Sequence, residues 1–333
     1  MFNQILIIQT ASLGDVILST ALAESLHTRF PGAKIDYLVK KGYEDLFDGH
    51  PFIRKVFAWN KKAHKYRNLL YLCLDVRKTR YDAVINVQRF FTSGLITLIS
   101  GAPVRCGFDK NPMSFGFNRK ATHKIGETEN NEHETERNHH LIDWIEGISI
   151  SKPVLYPTDQ DYVRVKQWNS SKYITISPAS LWFTKQFPVH KWIEFVSNIS
   201  PDIRVILLGA KDDAETCNLI IEKSDHKLID NLAGKLGFLQ SAAIMKEALM
   251  NYVNDSAPMH FASAVNAPVT AVYCSTVPAF GFGPLSDNAT VIEAKPAPDC
   301  RPCGLHGHRQ CPEGHFNCAE HITNKQLLSR IEE

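Results

Sequence analysis

The sequence predicts an α/β protein made of two Rossmann-like domains, each with a doubly wound parallel sheet. The chain has 333 residues, more than one hydrophobic core usually serves, so two domains of roughly 150 residues are expected. Short apolar strands alternate with helix-length segments, as is typical of parallel sheets. The alternation is lost over 151–168 and then begins again. We therefore predict one domain over 1–155 and a second over 156–333.

The first domain begins with a strand, a helix and a second strand, the βαβ unit of parallel sheets. Two more apolar segments follow, whereas Asn118–Asn138 is polar and rich in glutamate, which favours a loop or mobile segment. The predicted elements are strand Gln4–Gln9, loop Thr10–Asp15, helix Val16–Phe30, strand Lys34–Val39, strand Ala83–Val87 and apolar segment Gly94–Ser100.

The second domain repeats the alternation and ends in a cysteine-rich segment. Two such domains in tandem place a cleft between the carboxyl ends of their strands, where ligands of open α/β sheets usually bind. The predicted strands are Tyr173–Ser177, Arg204–Leu208, Lys227–Ile229, Asn251–Asn254 and Pro268–Tyr273. The predicted helices are His190–Asn198, Asp212–Lys223, Leu239–Ala248 and Pro258–Val265.

The overall charge gives no sign of a nucleic-acid partner. The chain is 44% apolar and 22% charged, as globular proteins are, and its formal net charge is +2. One local group of cations accompanies a single acid, Asp75. This group is either a solvated helical face or a basic surface near an anionic acceptor or acidic membrane leaflet. Its members are Arg54, Lys55, Lys61, Lys62, Lys65, Arg67, Arg77, Lys78 and Arg80.

Two stretches bear on export and membrane insertion. Met1–Gln9 passes directly into an apolar strand without the basic start and cleavage site of a secretory signal, so we expect a cytoplasmic protein. Phe261–Ser286 is uncharged, but Asn266 and several prolines and glycines interrupt it. We interpret this second stretch as buried core.

The loop between the first strand and helix reads Ser12-Leu13-Gly14-Asp15. Gly14 would let the backbone turn tightly, and Asp15 would stand at the helix start. Asp15 is then either an ordinary helix cap or a general base. The loop lacks the G-x-G-x-x-G of dinucleotide sites, and the chain has no G-x-x-x-x-G-K-[ST] phosphate loop. Dehydrogenase and P-loop functions therefore lose their main support.

The strongest constellation in the second domain runs from Asn254 to His260. A strand ends at Asn254, and Asp255 and Ser256 can cap the helix that follows. Pro258 suits the first helical turn, where its missing amide would have no partner. Free amides and the helix dipole at such a start form an anion site suited to a diphosphate. His260 either faces the same ligand or is a structural histidine.

Two other strand ends converge on the same region. Ser177-Pro178-Ala179-Ser180 follows one strand, and Lys185 comes soon after, either as a phosphate contact or as a solvated loop lysine. Another strand runs into Gly209-Ala210-Lys211, where small residues would let a ribose or base approach the backbone. The three strand ends together predict a nucleotide site.

Four of the eight cysteines lie close together near the carboxyl terminus. Because the cytoplasm disfavours disulfides, the cluster is either a structural zinc site or a group of reduced, unligated thiols. The spacing of the first pair suits zinc, whereas the other two are too far apart for the usual second knuckle. The four are Cys300, Cys303, Cys311 and Cys318.

Several of these motifs occur in one order that resembles glycosyltransferase family 9, the ADP-heptose:lipopolysaccharide heptosyltransferases. The resemblance covers most of the chain and is weakest between Asn60 and Lys152. The motifs are Ser12-Leu13-Gly14-Asp15, Lys185-Gln186-Phe187-Pro188 followed by Trp192, Gly209-Ala210-Lys211-Asp212, Asp255-Ser256-Ala257-Pro258-Met259-His260 and Phe280-Gly281-Phe282-Gly283-Pro284.

The resemblance implies a GT-B fold whose first domain receives the acceptor and whose second domain holds an ADP-sugar. It implies an inverting transfer that needs no catalytic metal or other cofactor, with Asp15 as the base and Ser12 and Gly14 beside it. Lys185 and Ser180 would contact the donor diphosphate. The full implied donor set is Ser177, Ser180, Lys185, Gly209, Lys211, Asp255, Ser256, Ala257, Pro258, Met259 and His260.

Two positions depart from the family pattern. Ala257 stands where the family commonly has glycine, and Lys211 stands where an acidic residue often holds the donor ribose. Asp212 or Asp213 would then take that role.

We therefore predict a bacterial enzyme that moves a sugar, heptose by resemblance, from an ADP donor to a lipopolysaccharide-type or other lipid-linked glycan. It would work in the cytoplasm, at the inner membrane face, with peripheral membrane association. The alternatives are a nucleotide-sugar epimerase of the same fold, which needs no acceptor, and a non-catalytic nucleotide-sugar binding protein, which does not need Asp15.

Overall fold

A computed structural model describes residues 2–62, 64–125, 131–169 and 171–331 of the chain. The chain divides into two compact units, Met1–Tyr156 and Pro157–Glu333. Each unit has its own parallel sheet of six strands. Because every strand partner lies within its own unit, each sheet has a core of its own.

The first unit alternates strands and helices around the sheet order β3-β2-β1-β4-β5-β6. The strand order reverses at β1, since β2 pairs on one side of it and β4 on the other. The elements are β1 (Gln4–Ile8), α1 (Leu13–Arg29), β2 (Lys34–Lys40), β3 (Ile53–Trp59), α2 (Lys65–Thr79), β4 (Ala83–Asn86), α3 (Phe91–Ile99), β5 (Val104–Phe108), β6 (Arg119–Ala121) and α4 (Glu134–His139).

The second unit repeats the same topology in the order β12-β11-β10-β7-β8-β9. Its order reverses at β7, between β10 and β8. The elements are α5 (Asp159–Val165), β7 (Tyr173–Ser177), α6 (Val189–Ser197), β8 (Arg204–Leu207), α7 (Ala214–Lys223), β9 (Ile229–Asn231), α8 (Phe238–Lys246), β10 (Asn251–Asn254), α9 (Ala257–Ala264), β11 (Val269–Val272), β12 (Ala289–Ile292), α10 (Asn317–Glu320) and α11 (Asn324–Leu328).

The central strands are covered on both faces, which explains why their sequences are continuously apolar. Ile5, Leu6, Ile7 and Ile8 of β1 are all fully buried. In the second unit, Trp192 of α6 lies fully buried at the centre of an aromatic group with Phe187 and Phe195. The helices thus pack on sheets whose central strands carry no solvent-facing side.

The structure changes several predicted elements of the first unit. Helix α1 begins at Leu13, so the expected helix start at Val16 is wrong, and Ser12 rather than Asp15 caps it. The sequence analysis missed β3, because exposed charged residues interrupt the apolar pattern of this edge strand. The stretch 118–138 contains β6 and most of α4, which were not predicted, and residues 122–125 and 131–133 between them form loop, as predicted. Residues 126–130 lie outside the described part of the chain.

Among the described residues, no helix combines the length and apolar character that crossing a bilayer requires. Most of the uncharged stretch 261–286 is buried, as predicted, since it supplies the second half of α9, all of β11 and the buried segment after it.

Candidate functional site

A buried ion pair lies beyond the carboxyl ends of the strands in the second sheet. Lys185 Nζ lies 2.6 Å from Asp255 Oδ2, and the two side chains are 16% and 8% exposed. The hydroxyl of Thr276 donates to the same carboxylate oxygen at 2.6 Å. These residues follow β7, β10 and β11, so the fold brings together groups that are far apart in sequence. The predicted cation and the predicted acid of the site are therefore in direct contact.

Asn254, the last residue of β10, ties two loops to this strand end. Its side-chain oxygen accepts from the amide of Phe187 at 2.9 Å, and its side-chain nitrogen donates to the carbonyl of Pro178 at 2.8 Å. Asn254 is fully buried. The sequence marked Asn254 only as a strand end, because its partners lie more than sixty residues away.

Helix α9 begins directly after Asp255, with Ser256 as the N-cap residue. Pro258 lies in the first turn and has no amide hydrogen, and the amide of Met259 donates to the carbonyl of Ser256 at 3.1 Å. The helix start therefore has fewer amides for an anion than the sequence indicated. Ala257 is partly exposed and its helical backbone needs no glycine.

Two further predicted donor residues, Met259 and His260, lie in α9, and both are buried. Met259 is fully buried, and its sulfur accepts from the hydroxyl of Tyr273 at 3.4 Å, so this side chain belongs to the core. His260 is 6% exposed. A role of either residue in donor binding stays a prediction.

Ser177 and Ser180 lie at the end of β7. The Ser177 side chain is buried and its hydroxyl makes no hydrogen bond within the described part of the chain. The carbonyl of Ser180 accepts from the side chain of Gln186 at 2.6 Å, which closes the loop that carries Lys185. This loop is thus held from both of its ends.

Gly209 and Lys211 are exposed at the end of β8, the neighbour of β7 in the sheet. A Cβ atom added to Gly209 would lie 2.8 Å from Cβ of Asp213. The Asp213 carboxylate accepts from the amide of Ala210 at 2.7 Å. A tight turn therefore requires the small residue here, which accounts for Gly209 without a ligand.

The cysteine-rich segment packs against the loop of Lys185. The Thr184 hydroxyl accepts from the amide of His308 at 2.7 Å, and the amide of Cys303 donates to the carbonyl of Ser275 at 2.9 Å. Gly307 has a φ of +73°, and a Cβ there would lie 2.9 Å from Cγ of Lys185. The segment is therefore a wall of the candidate site, which the sequence analysis did not indicate.

The predicted structural zinc is not supported. In the ranges that the structure describes, no group of three or more His, Cys, Asp or Glu side chains is placed to hold a metal ion. Cys303 Sγ donates instead to the carbonyl of Cys300 at 3.2 Å. Burial, together with the neighbouring Cys303, Cys300 and Cys311, raises the pKa of Cys318 to about 12.

In the first unit, Ser12 and Asp15 form a capping box at the start of α1. Asp15 Oδ2 accepts from the amide and hydroxyl of Ser12 at 3.0 and 2.7 Å, and the Asp15 amide donates to the Ser12 hydroxyl at 3.3 Å. Asp15 is thus the third helical residue and partly exposed. Gly14 is buried in the first turn without a positive φ, so the tight turn expected of it does not occur.

A polar cluster surrounds Thr10 at the end of β1, two residues before this box. The Thr10 hydroxyl donates to the side-chain oxygen of Gln88 at 2.6 Å, and Lys61 Nζ donates to the Thr10 carbonyl at 2.7 Å. Burial lowers the pKa of Lys61, and the charges of Lys40 and Lys65 lower it further. The sequence contained Lys61 only as one of a group of cations and gave no signal for Gln88.

The capping box of Ser12 and Asp15 has a structural counterpart in the second unit. Thr158 and Asp161 at the start of α5 make the same three bonds, at 2.8, 2.7 and 3.3 Å. These bonds therefore describe a helix cap in both units. What sets Asp15 apart is its position at a strand end beside the Thr10 cluster.

The comparison with known families identifies the chain. A family model described as glycosyltransferase family 9 (heptosyltransferase) matches residues 70–315, well over half of the sequence. The chain belongs to glycosyltransferase family 9. It is therefore a glycosyltransferase, as the sequence predicted.

Relatives from this family match nearly the whole chain. The chain is 25% identical to lipopolysaccharide heptosyltransferase 2 of Escherichia coli K12, over 98% of this chain and 97% of that protein. It is also 25% identical to lipopolysaccharide heptosyltransferase 3 of Escherichia coli, over 83% and 84% of the two chains.

Solved structures confirm the predicted GT-B fold. A family 9 glycosyltransferase from Veillonella parvula superimposes with a TM-score of 0.84 at 19% identity, covering 99% of this chain and 96% of that one. The ADP-heptose heptosyltransferase II of Escherichia coli gives 0.79 at 22% identity, covering 99% and 97%. This chain and both solved structures thus share the fold of two Rossmann-like units in tandem. A cleft between the two units of this chain stays a prediction.

Proposed function

We propose that this glycosyltransferase moves heptose from ADP-heptose to a lipopolysaccharide-type or other lipid-linked glycan, with inversion at the anomeric carbon. The observation that carries the proposal is family membership joined to a cation held at the strand ends of the second sheet. That cation is Lys185, paired with Asp255. The solved relative from Escherichia coli is named for ADP-heptose, which supports the same donor here.

The second unit is the proposed donor domain. The diphosphate would lie beyond the end of β10, against Lys185 and the start of α9, where positive charge and the helix dipole favour an anion. The contact between Lys185 and Asp255 keeps the ammonium in position before the donor arrives. Because Asp255 already accepts from Thr276, it can retain a partner when Lys185 turns toward a phosphate.

The first unit is the proposed acceptor domain, with Asp15 as the general base. As the acceptor oxygen forms its bond to the anomeric carbon, its proton passes to the Asp15 carboxylate. The bond from that carbon to the diphosphate breaks on the opposite face, and its electron pair leaves with ADP. Lys185 stabilises the negative charge that grows on the leaving group, in the place that a metal ion occupies in other enzymes.

The Thr10 cluster supplies acceptor contacts beside the base. Gln88 uses its side-chain oxygen for Thr10, while its side-chain nitrogen is buried without a partner among the described residues. Lys61 carries a cation into the same cluster. An amide donor and a cation suit the hydroxyls and acidic groups of a glycan acceptor, which supports this side of the proposal.

Location and partners follow from this substrate. A lipid-linked glycan is met at a membrane surface, so we propose that the enzyme works in the cytoplasm, at the inner membrane face.

A nucleotide-sugar epimerase is the second candidate, because the fold is shared. A putative UDP-N-acetylglucosamine 2-epimerase from Listeria monocytogenes superimposes with a TM-score of 0.54 at 11% identity. A likeness of this degree reports the fold alone. A non-catalytic nucleotide-sugar binder is the third.

One assay separates the three functions. The protein is incubated with ADP-heptose, UDP-glucose or GDP-mannose, with and without lipopolysaccharide from a heptose-deficient strain, and nucleoside diphosphate is measured. The transferase releases ADP from ADP-heptose only when acceptor is present. A new nucleotide-sugar epimer formed without acceptor, detected by chromatography, would indicate the epimerase. Binding by calorimetry with neither ADP release nor a new epimer would indicate the binder.

A further inference from the structure

Helix α2 has apolar side chains on its outer face as well as its inner one. Its inner face packs into the first unit through residues such as Leu72 and Val76. The outer face carries Tyr66, Leu70 and Leu74, at a spacing of four residues that aligns them along the helix. They are 79%, 58% and 45% exposed, and Tyr71 beside them is 57% exposed.

A second exposed aromatic pair lies at the same edge of the sheet. Phe90 and Phe91, at the start of α3, are 63% and 54% exposed. Helix α2 follows β3 and helix α3 follows β4, so both helices begin where these parallel strands end. The two helices also pack against each other. The apolar residues therefore belong to one side of the first unit.

Cations lie at both ends of α2 and directly before Phe90 in the sequence. Asp75 is the one acid in α2, and it lies 3.9 Å from Lys78. The exposed cations of this region are Lys62, Lys65, Arg67, Arg77, Lys78, Arg80 and Arg89. An exposed group of large apolar side chains marks an interaction surface, and the cations near it favour a partner that is negatively charged.

We propose that this surface docks the enzyme onto an anionic lipid bilayer. The basic aromatic face, as we name it, consists of Tyr66, Leu70, Tyr71, Leu74, Phe90 and Phe91 with the cations around them. Aromatic rings settle at the boundary between headgroups and acyl chains, and lysine and arginine bind anionic headgroups. The proposal deepens the proposed function, because a lipid-linked acceptor is met only at such a surface.

The physical chemistry favours a bilayer over a folded protein partner. A protein partner would need matching acids for each of seven exposed cations, which are spread over α2, both of its flanking segments and the segment before α3. The mobile headgroups of an anionic bilayer supply negative charge wherever a cation of the protein lies. Its interface also takes up aromatic side chains in any orientation. A bilayer needs neither a cavity nor a fixed register on the protein surface that it binds.

Vesicle co-sedimentation of the full chain tests the proposal. The probes are vesicles of phosphatidylethanolamine and phosphatidylglycerol at 3:1 and vesicles of phosphatidylcholine. We expect binding to the first and at least tenfold weaker binding to the second. The variant Tyr66→Ser/Leu70→Ser/Tyr71→Ser and the variant Lys65→Glu/Arg67→Glu should each weaken binding to the anionic vesicles at least tenfold.

A matched control removes exposed apolar side chains elsewhere. Val163 and Leu219 are 71% and 42% exposed on helices of the second unit. The double variant Val163→Ser/Leu219→Ser should bind anionic vesicles like the wild type. Thermal melts of all variants establish that each is folded. A wild-type protein that ignores both vesicles, or variants that bind as it does, would overturn the proposal.

Two further readouts separate this proposal from its alternatives. With a delipidated, water-soluble acceptor the face variants should transfer sugar at the wild-type rate, whereas with acceptor in vesicles they should be at least fivefold slower. If the proposed function is wrong, neither the wild type nor any variant transfers sugar, but the expected differences in vesicle binding are still measured. If sedimentation shows a wild-type dimer that the same variants dissociate, the face covers a second copy and the proposal is wrong.

Discussion

The polar residues at the carboxyl ends of the two sheets are held in place by different kinds of contact. Beyond the second sheet, Lys185, Asp255 and Thr276 come from three separate places in the chain and are held in a buried, mutually bonded group. At the first sheet, Ser12 and Asp15 are three residues apart, partly in solvent, and held by bonds to each other. In the proposed enzyme, the group that balances charge is thus fixed by tertiary structure, whereas the group that takes a proton is fixed locally.

This contrast has an energetic consequence. Removing one partner of a buried ion pair leaves an uncompensated charge in a region of low dielectric, which is costly. Removing one bond of an exposed cap costs much less. Substitutions of Lys185 or Asp255 should therefore lower both the stability of the protein and its affinity for the donor. Substitutions of Asp15 should lower turnover while changing stability and donor affinity little.

The largest loss of stability is expected from breaking the buried pair. Lys185→Met leaves Asp255 charged and buried, so the free energy of unfolding at pH 7 should fall by about 3–5 kcal/mol. Urea unfolding measures it. The double variant Lys185→Met/Asp255→Asn should recover part of the loss. Losses that simply add in the double variant would show that the two groups do not interact.

A second buried pair extends the contrast within the first unit. Glu134 bonds to His123 and Arg137 at 3.2 and 2.8 Å. Burial raises the pKa of Glu134, but the bonds and charges of His123 and Arg137 outweigh it and leave that pKa below its usual value. Glu134→Gln should therefore lower the free energy of unfolding at pH 7 by about 3 kcal/mol.

The control for Glu134 is Glu132, a half-exposed carboxylate 3.2 Å from His140. Glu132→Gln should cost less than about 1 kcal/mol, since exposed pairs contribute little. Equal losses in the two variants would mean that burial does not set the cost.

The two capping boxes give a closely matched pair. Ser12→Ala and Thr158→Ala remove the same hydroxyl bonds from two helices, so each should lower the free energy of unfolding by about 1 kcal/mol. Because Ser12→Ala retains the carboxylate of Asp15, its turnover should stay within about tenfold of the wild type. Transfer rates and urea unfolding of both variants check this. A loss of turnover in Thr158→Ala would contradict it.

The last expected effect depends on pH and comes from a histidine in the first unit. Burial, with a contribution from the charge of His27, lowers the pKa of His50 to about 4. In the unfolded chain this pKa is about 6.5, so the unfolded state takes up the proton first as pH falls. Stability is therefore lost between about pH 6.5 and pH 4.

His50→Gln should flatten this loss when unfolding is followed from pH 7 to pH 4.5. The difference should be below about 1 kcal/mol per pH unit, because His50 is partly exposed and solvent screens its charge. Parallel curves for the wild type and the variant would show that His50 does not titrate in this way.

The sequence predicted the sheets better than the sites. Buried parallel strands such as Tyr173–Ser177 and Asn251–Asn254 are short apolar runs, and the structure has both with the same bounds. Strand β3 was not predicted, because an edge strand keeps charged residues on its exposed side. An apolar run therefore predicts a strand well where the strand is completely buried and poorly where it is only partly buried.

The site itself depends on contacts that no local pattern encodes. Lys185 and Asp255 were singled out separately, and their contact required the fold. Thr276 and Gln88 were missed, and the role of Asn254 in holding two loops was not predicted, because each acts through partners more than twenty residues away. The capping role of Ser12 had a local signal, an aspartate three residues later, that the sequence analysis did not use.

The most direct test of the account compares Asp15→Asn with Asp161→Asn, its counterpart in the other capping box. Calorimetry gives the affinity for ADP-heptose, and ADP release with acceptor present gives turnover. We predict wild-type affinity for both variants, with turnover lower by about 10²–10⁴ for Asp15→Asn alone. Undiminished turnover in Asp15→Asn would contradict the central claim that this carboxylate takes the acceptor proton.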